Sequence, residues 1–156
     1  MDINFNAPVV ARDEIMIRAD VRDVWRLLTD FAGWPKWLPE VPRAEAEGLL
    51  GVGAAFRWET KGLQISSTVR EIDPPYRIAW DGPGSGIFGV HVWMFEPIEG
   101  GVLVRTRESW EGPPVEGNRT AMQGALAGSL RGHLEHLKIA AERRQDAPPS
   151  PKPQHP

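Results

Sequence analysis

The chain has 156 residues, about one domain's worth, and its 41% hydrophobic and 25% charged residues exclude both a multidomain machine and wholesale disorder. A net charge of -3 and a pI of 5.8 argue against nucleic acid as a partner, since a phosphate backbone calls for a basic surface. There are no cysteines, which removes disulfides, thiol nucleophiles and thiolate metal sites together.

Residues 1–11 read as a loosely held leader. Asp2, Asp13 and Glu14 give no basic-then-apolar order, so no secretory signal is expected and the cytoplasm is the expected compartment. A first strand fits Asp13 to Arg18, with Ile15 and Ile17 alternating against polar neighbours. Asp20 then caps a helix whose buried stripe is Val21, Val24, Trp25 and Leu28. The segment FAGWPKWLPEVP follows, limited by Pro35, Pro39 and Pro42 to a short helix in an aromatic corner.

Strands come next. A two-residue turn at Lys61-Gly62 pairs Thr60 with Leu63 and puts Phe56, Trp58, Leu63, Ile65, Ser67 and Val69 on one covered face. Asp73 to Tyr76 turn the chain into a strand with Ile78 and Trp80 facing the same side. The run Gly82 to Phe95 is too short and polar to span a bilayer. A second hairpin covers about Ile87 to Trp110. An even loop at Gly100-Gly101 places Val102, Val104, Thr106 and Glu108 on the face of His91, Trp93 and Phe95. From Val115 to Arg144 the period becomes helical, with Met122, Leu126, Leu130, Leu134 and Leu137 in one stripe.

Three motifs invite chemistry. GSGIFG (Gly84 to Gly89) matches a dinucleotide fingerprint, but a strand follows it rather than a helix, so it reads as a mobile loop and a gate. His133 and His136 lie three apart in the long helix without a second ligand cluster, so no metal is expected, and His133 is placed at the border of the buried stripe. Gly124, Gly128 and Gly132 repeat every four residues, a smooth flank read either as tight packing or as the wall of an internal cavity.

The seven tryptophans against one tyrosine favour the cavity. Trp58, Trp80 and Trp93 on the covered face, with Trp37, Phe56, Ile65 and Ile78 around them and Gly128 on the helix, would be its apolar walls. Thr60, Ser67, His91, Thr106 and Glu108 would be its polar groups. Glu108 stands out because alternation turns its carboxylate inward while Arg105 and Arg107 point out.

Three stretches carry a resemblance: ADVRDVWRLLTDFAGWPKWLPEV (Ala19 to Val41), DPPYRIAW (Asp73 to Trp80), and W-x-F-x-P followed by GG-x-x-V (Trp93 to Val104). Residues 12–144 resemble the START-like SRPBCC superfamily, polyketide cyclase/dehydrase type. The resemblance implies an α+β helix-grip fold of the START-like and Bet v 1-like kind. In it a curved seven-stranded antiparallel sheet wraps a long C-terminal helix, and two short helices follow strand 1. Residues 145–156, rich in proline, are expected to form a disordered tail.

Three functions remain open. The first is binding of a hydrophobic, aromatic or polycyclic small molecule, with entry gated by Gly82 to Gly86 and by the Trp34 to Trp37 corner. The second is a cyclase or dehydratase using His91 or Glu108 as general acid or base in the same cavity. The third is an interaction module that forms a homodimer through the apolar outer face of the His91 strand, at Val92. No cofactor is expected for any of them.

Overall fold

The computed structural model describes residues 1–146; most of the Pro-rich segment lies outside the described residues. Seven strands form one antiparallel sheet in the order β1-β7-β6-β5-β4-β3-β2. They are β1 (Val9–Ile17), β2 (Arg43–Glu47), β3 (Ala55–Thr60), β4 (Leu63–Asp73), β5 (Arg77–Gly84), β6 (Ile87–Ile98) and β7 (Gly101–Glu111). A helix α1 (Val21–Thr29) and a 3-10 helix (Phe31–Lys36) follow β1, and α2 (Pro113–Glu116) and α3 (Arg119–Asp146) follow β7. This is the curved helix-grip architecture, with α3 held by the sheet.

Local chemistry explains the elements. Asp20 is extended and its carboxylate accepts from the Arg22 N–H, which satisfies a free donor at the start of α1 and contributes about 1 kcal/mol. Lys61 and Gly62 both have positive φ, 50° and 78°, so their turn matches the twist of β3 and β4 and sets the Thr60–Leu63 pair. From that pair, Phe56, Trp58 and Ser67 are buried while Arg57, Gln64 and Ser66 are exposed. A register shift between Val69 and Glu71 interrupts the β4–β5 ladder, the kind of irregularity that bends a sheet.

The apolar contacts under α3 fall into two blocks. Leu134, Leu137 and Ala141 join α1, the 3-10 helix and the indoles of Trp25, Trp34, Trp58, Trp80 and Trp93. Leu126 and Leu130 join Val9, Ala11, Ile87 and Val115 instead.

Several expectations change. Strand β1 starts at Val9, and residues 1–8 are tied to the outer face of the sheet rather than loosely held. Ile3 is buried with Ala79, Val90 and Val92. The Asp2 carboxylate accepts from Arg107 Nε at 2.8 Å and Nη2 at 2.7 Å, and the Met1 ammonium lies 2.6 Å from Glu71. The apolar outer face of β6 is therefore covered by the chain itself, and Val92 is fully buried.

The second hairpin keeps the expected faces, but its turn is Glu99-Gly100, because Ile98 pairs with Gly101. Gly101 belongs to the strand, where a Cβ would collide with the Ile17 carbonyl of β1. Moving the turn by one residue moves the pairing by two and sets His91 opposite Glu108. GSGIFG is a tight two-residue hairpin, with Gly84 paired to Ile87 and positive φ at Ser85 and Gly86, rather than a loose loop. The expected single C-terminal helix is broken at Gly117-Asn118, where the Asn118 carbonyl accepts from Met122 and begins α3. Strand β2, RAEAE, alternates charged residues with alanine, but it is exposed at four of five positions and has no large apolar side chain to mark it as a strand.

Candidate functional site

Between the sheet and α3 lies a cavity of about 280 Å³. Its indole walls are Trp58, Trp80 and Trp110, joined by Leu63, Ile65 and Ile87. Gly82, Gly84 and Gly89 give their part of the floor no side chains, which leaves room above β5 and β6. The helix contributes Met122, Ala125, Ser129 and His133. These four recur at i, i+3, i+7 and i+11, a stripe beside the buried leucines. The polar groups are Thr60, Ser67, His91, Glu108 and His133, with the exposed Lys61 on the β3–β4 turn.

Each polar group is held differently. Ser67 Oγ accepts from the Trp58 indole N–H at 3.1 Å, which fixes that ring as a wall. His91 is 2% exposed; its Nε2 lies 2.7 Å from Thr106 Oγ1, whose hydroxyl donates to the Val92 carbonyl at 3.1 Å. On the other side of the ring, Nδ1 lies 2.9 Å from Glu108 Oε1, off the line that an N–H bond needs. The Glu108 carboxyl group is thus turned inward, as alternation requires. Thr60 Oγ1 and His133 Nε2 are buried with no hydrogen-bond partner among the described residues.

His133 is the most unusual group of the site. Burial, helped by the nearby His91, Lys61 and His136, pushes its pKa down to about 3, so the ring is neutral. It sits among rings: Trp34, Trp58 and Trp93 have centroids 6.3 Å from its own, and His91 lies at 6.4 Å. His136, three residues on, has its Nδ1 at 2.8 Å from the Gly132 carbonyl and belongs to different surroundings.

Of the wall residues expected from the sequence, Trp58, Ile65, Ser67, Trp80, His91 and Glu108 come together around the cavity. The others lie elsewhere. Phe56 is stacked on Phe31, with centroids 3.7 Å apart, and Ile78 is fully buried in the core. Trp93 packs against the His91 ring at 5.1 Å without lining the cavity, and Thr106 stands behind His91. Trp37 is half-buried against the core, and Trp34, its indole N–H bonded to the Leu28 carbonyl, packs behind the wall residues Trp58 and His133; neither lines the cavity. Gly128 faces solvent. Thr60, expected near the pocket, does line it; sequence reasoning missed Trp110, Met122 and His133 as wall residues, although Ala125, Ser129 and His133 each stand one residue before a leucine.

Among the described residues no group of three or more His, Asp or Glu side chains is placed to hold a metal ion, and no helix is long and apolar enough to cross a membrane.

Comparison with known proteins adds the following. Residues 8–142 match the family model described as polyketide cyclase/dehydrase and lipid transport. No curated protein matches the sequence. A hypothetical protein of Helicobacter pylori superposes with a TM-score of 0.79 at 21% identity, covering 89% of this chain and 91% of that one. The di-domain ARO/CYC StfQ from the steffimycin biosynthetic pathway gives 0.75 at 21% identity over 89% of this chain, which spans 52% of that protein. A START superfamily protein of Mycobacterium smegmatis gives 0.75 at 14% identity, covering 86% and 97%. At these identities the likeness to solved structures is one of fold.

Proposed function

The chain belongs to the polyketide cyclase/dehydrase and lipid transport family, and on that premise we propose that it holds a flat aromatic or polycyclic small molecule between the sheet and α3. The cavity itself carries the proposal: about 280 Å³ walled by indoles, with polar atoms at Thr60 and His133 that have no hydrogen-bond partner among the described residues. A buried polar atom without a partner costs about 1–3 kcal/mol, which a ligand bearing the complementary group recovers on binding. The volume stands near the lower end of the ~300–1,000 Å³ range of ligand pockets, room for about two or three fused rings rather than a long acyl chain.

Intrinsic tryptophan fluorescence, titrated with a panel of fused-ring ligands, tests the proposal. Saturable quenching that weakens in Trp80→Ala is the expected result; indifference of the wild-type protein across the panel overturns it.

A second reading, cyclase or dehydratase, is favoured by the close pair of His91 and Glu108 in the cavity wall. Groups that can give and take a proton beside an enclosed apolar space are what such reactions need. The likeness in fold to a di-domain ARO/CYC supports it. Turnover of a model poly-β-ketone, lost in Glu108→Gln, is its test.

A further inference from the structure

Three polar groups line the cavity where β3 turns into β4 beneath α3. Thr60 is the last residue of β3 and 7% exposed, and its Oγ1 has no hydrogen-bond partner among the described residues. His133, on α3 and 4% exposed, has its Nε2 in the same condition. Lys61 follows Thr60 in the turn. It is exposed, it lines the cavity, and no carboxylate among the described residues pairs with it. Its charge is near enough to His133 to help keep that ring neutral.

Together these groups form a set of donors. An ammonium has three hydrogens and no lone pair, a hydroxyl has one hydrogen, and a neutral imidazole carries its single N–H on either nitrogen. The acid that lines the cavity among the described residues is Glu108, and it stands on β7, with β4, β5 and β6 between it and β3 in the sheet. Glu59 is next to Thr60, but alternation points it to the opposite face. A positive charge and two buried, unpaired polar atoms with no acid beside them suit a negatively charged oxygen. Thr60 and His133 are already stripped of water by burial, so a charged acceptor reaching them forms strong hydrogen bonds at no further cost to the protein.

We infer that the ligand of this cavity is a flat aromatic carboxylic acid, its carboxylate held by Lys61, the Thr60 hydroxyl and the Nε2–H of His133. The inference deepens the proposal above, on which it rests: it names the chemical class of the ligand and gives it a direction. The acid group lies at the β3–β4 turn, and the rings lie among Trp58, Trp80 and Trp110. Lys61 determines specificity, because of the three groups it supplies the charge. The bound carboxylate also selects the Nε2–H tautomer of His133.

The probe is 2-naphthoate at pH 7.5, compared by calorimetric titration with 2-naphthamide, which has nearly the same shape and no charge. Wild-type protein is expected to bind the acid about tenfold more tightly. Lys61→Asn keeps the turn, because Asn-Gly suits two successive positive φ values. It should bring the two ligands within about twofold of each other, whereas Lys61→Arg should keep the preference. Thr60→Val should weaken the acid about fivefold. Nitrogen-15 NMR of the naphthoate complex should show the His133 hydrogen on Nε2.

An affinity for the acid no greater than for the amide, or a preference that survives Lys61→Asn, overturns the inference and leaves the binding proposal standing. Unchanged affinity in Thr60→Val, or a His133 hydrogen on Nδ1 in the complex, overturns the part given to that residue. If neither naphthalene binds, the inference falls, and the fluorescence panel decides the binding proposal separately.

Discussion

The rings of His91 and His133 lie nearly parallel, 15° between their planes and 6.4 Å between their centroids, one on the strand wall and the other on the helix. Burial, with a smaller contribution from the nearby His91, lowers the pKa of His133 from 6.5 to about 3. Below pH 6.5 the unfolded chain takes up a proton that the folded His133 refuses. The stability this residue contributes is therefore complete above pH 6.5 and is lost as the pH falls toward 3, at about 1.4 kcal/mol per pH unit. In urea unfolding, wild-type protein should lose about 2 kcal/mol more than His133→Phe on going from pH 7.5 to pH 5. Equal losses would show that His133 gains its proton in the folded state as readily as in the unfolded one.

The glycines of α3 separate by what lies above them. A Cβ at Gly124 or Gly128 would meet nothing within 4 Å, whereas one at Gly132 would lie 2.5 Å from Glu40 Oε1. Alanine at 124 or 128 should raise stability by about 1 kcal/mol each through helix propensity alone and leave ligand quenching as it was. Alanine at 132 should gain less, because the Glu40 side chain has to move. Thermal unfolding of the three variants, measured side by side, checks the order.

These glycines also mark how far the sequence could be read. Alternation along Phe56 to Val69, fixed by Lys61-Gly62, is enough to put Trp58 and Ser67 on the inner face, because a strand offers only two faces and one turn sets both strands. The same parity turned Glu108 inward even though the Glu99-Gly100 turn is displaced from Gly100-Gly101, since the displacement changes the pairing by two and keeps the faces. A helix has no such two-way choice. At about 100° per residue, Gly128 lies roughly 200° from Leu130, on the far side, while Ser129 and His133 precede leucines by one residue and flank the buried stripe. Identical spacing of the two sets concealed the difference in angle. The burial of Val92 was hidden for another reason: its cover, Ile3, comes from a distant segment with no periodic pattern of its own.

That cover gives a sharp outcome for Val92→Lys. If β6 presented an open apolar face, a lysine there would leave stability nearly unchanged and abolish association. Val92 is instead fully buried beneath Ile3, with Ala79 and Val90 beside it. A lysine must bury its charge or expel the N-terminal residues, and the expected loss is about 3 kcal/mol or more. Urea unfolding measures the loss, and light scattering shows whether the uncovered patch then makes copies of the chain associate.

The bond from Trp58 Nε1 to Ser67 Oγ, 3.1 Å long, joins β3 to β4 inside the cavity wall. Ser67→Ala removes the acceptor and leaves an indole N–H buried, which costs about 1–3 kcal/mol. Trp58→Phe removes the donor and opens space, so it destabilises for a different reason. If the bond is what couples the two positions, the double variant should be less destabilised than the sum of the singles by about 1 kcal/mol. The same cycle bears on function. An indole freed from Ser67 can turn within the cavity, so Ser67→Ala should weaken ligand quenching although the alanine takes away no apolar wall. Additive stabilities together with unchanged quenching would mean that Trp58 is held by packing against its aromatic neighbours Trp34 and His133, and that the hydroxyl is dispensable.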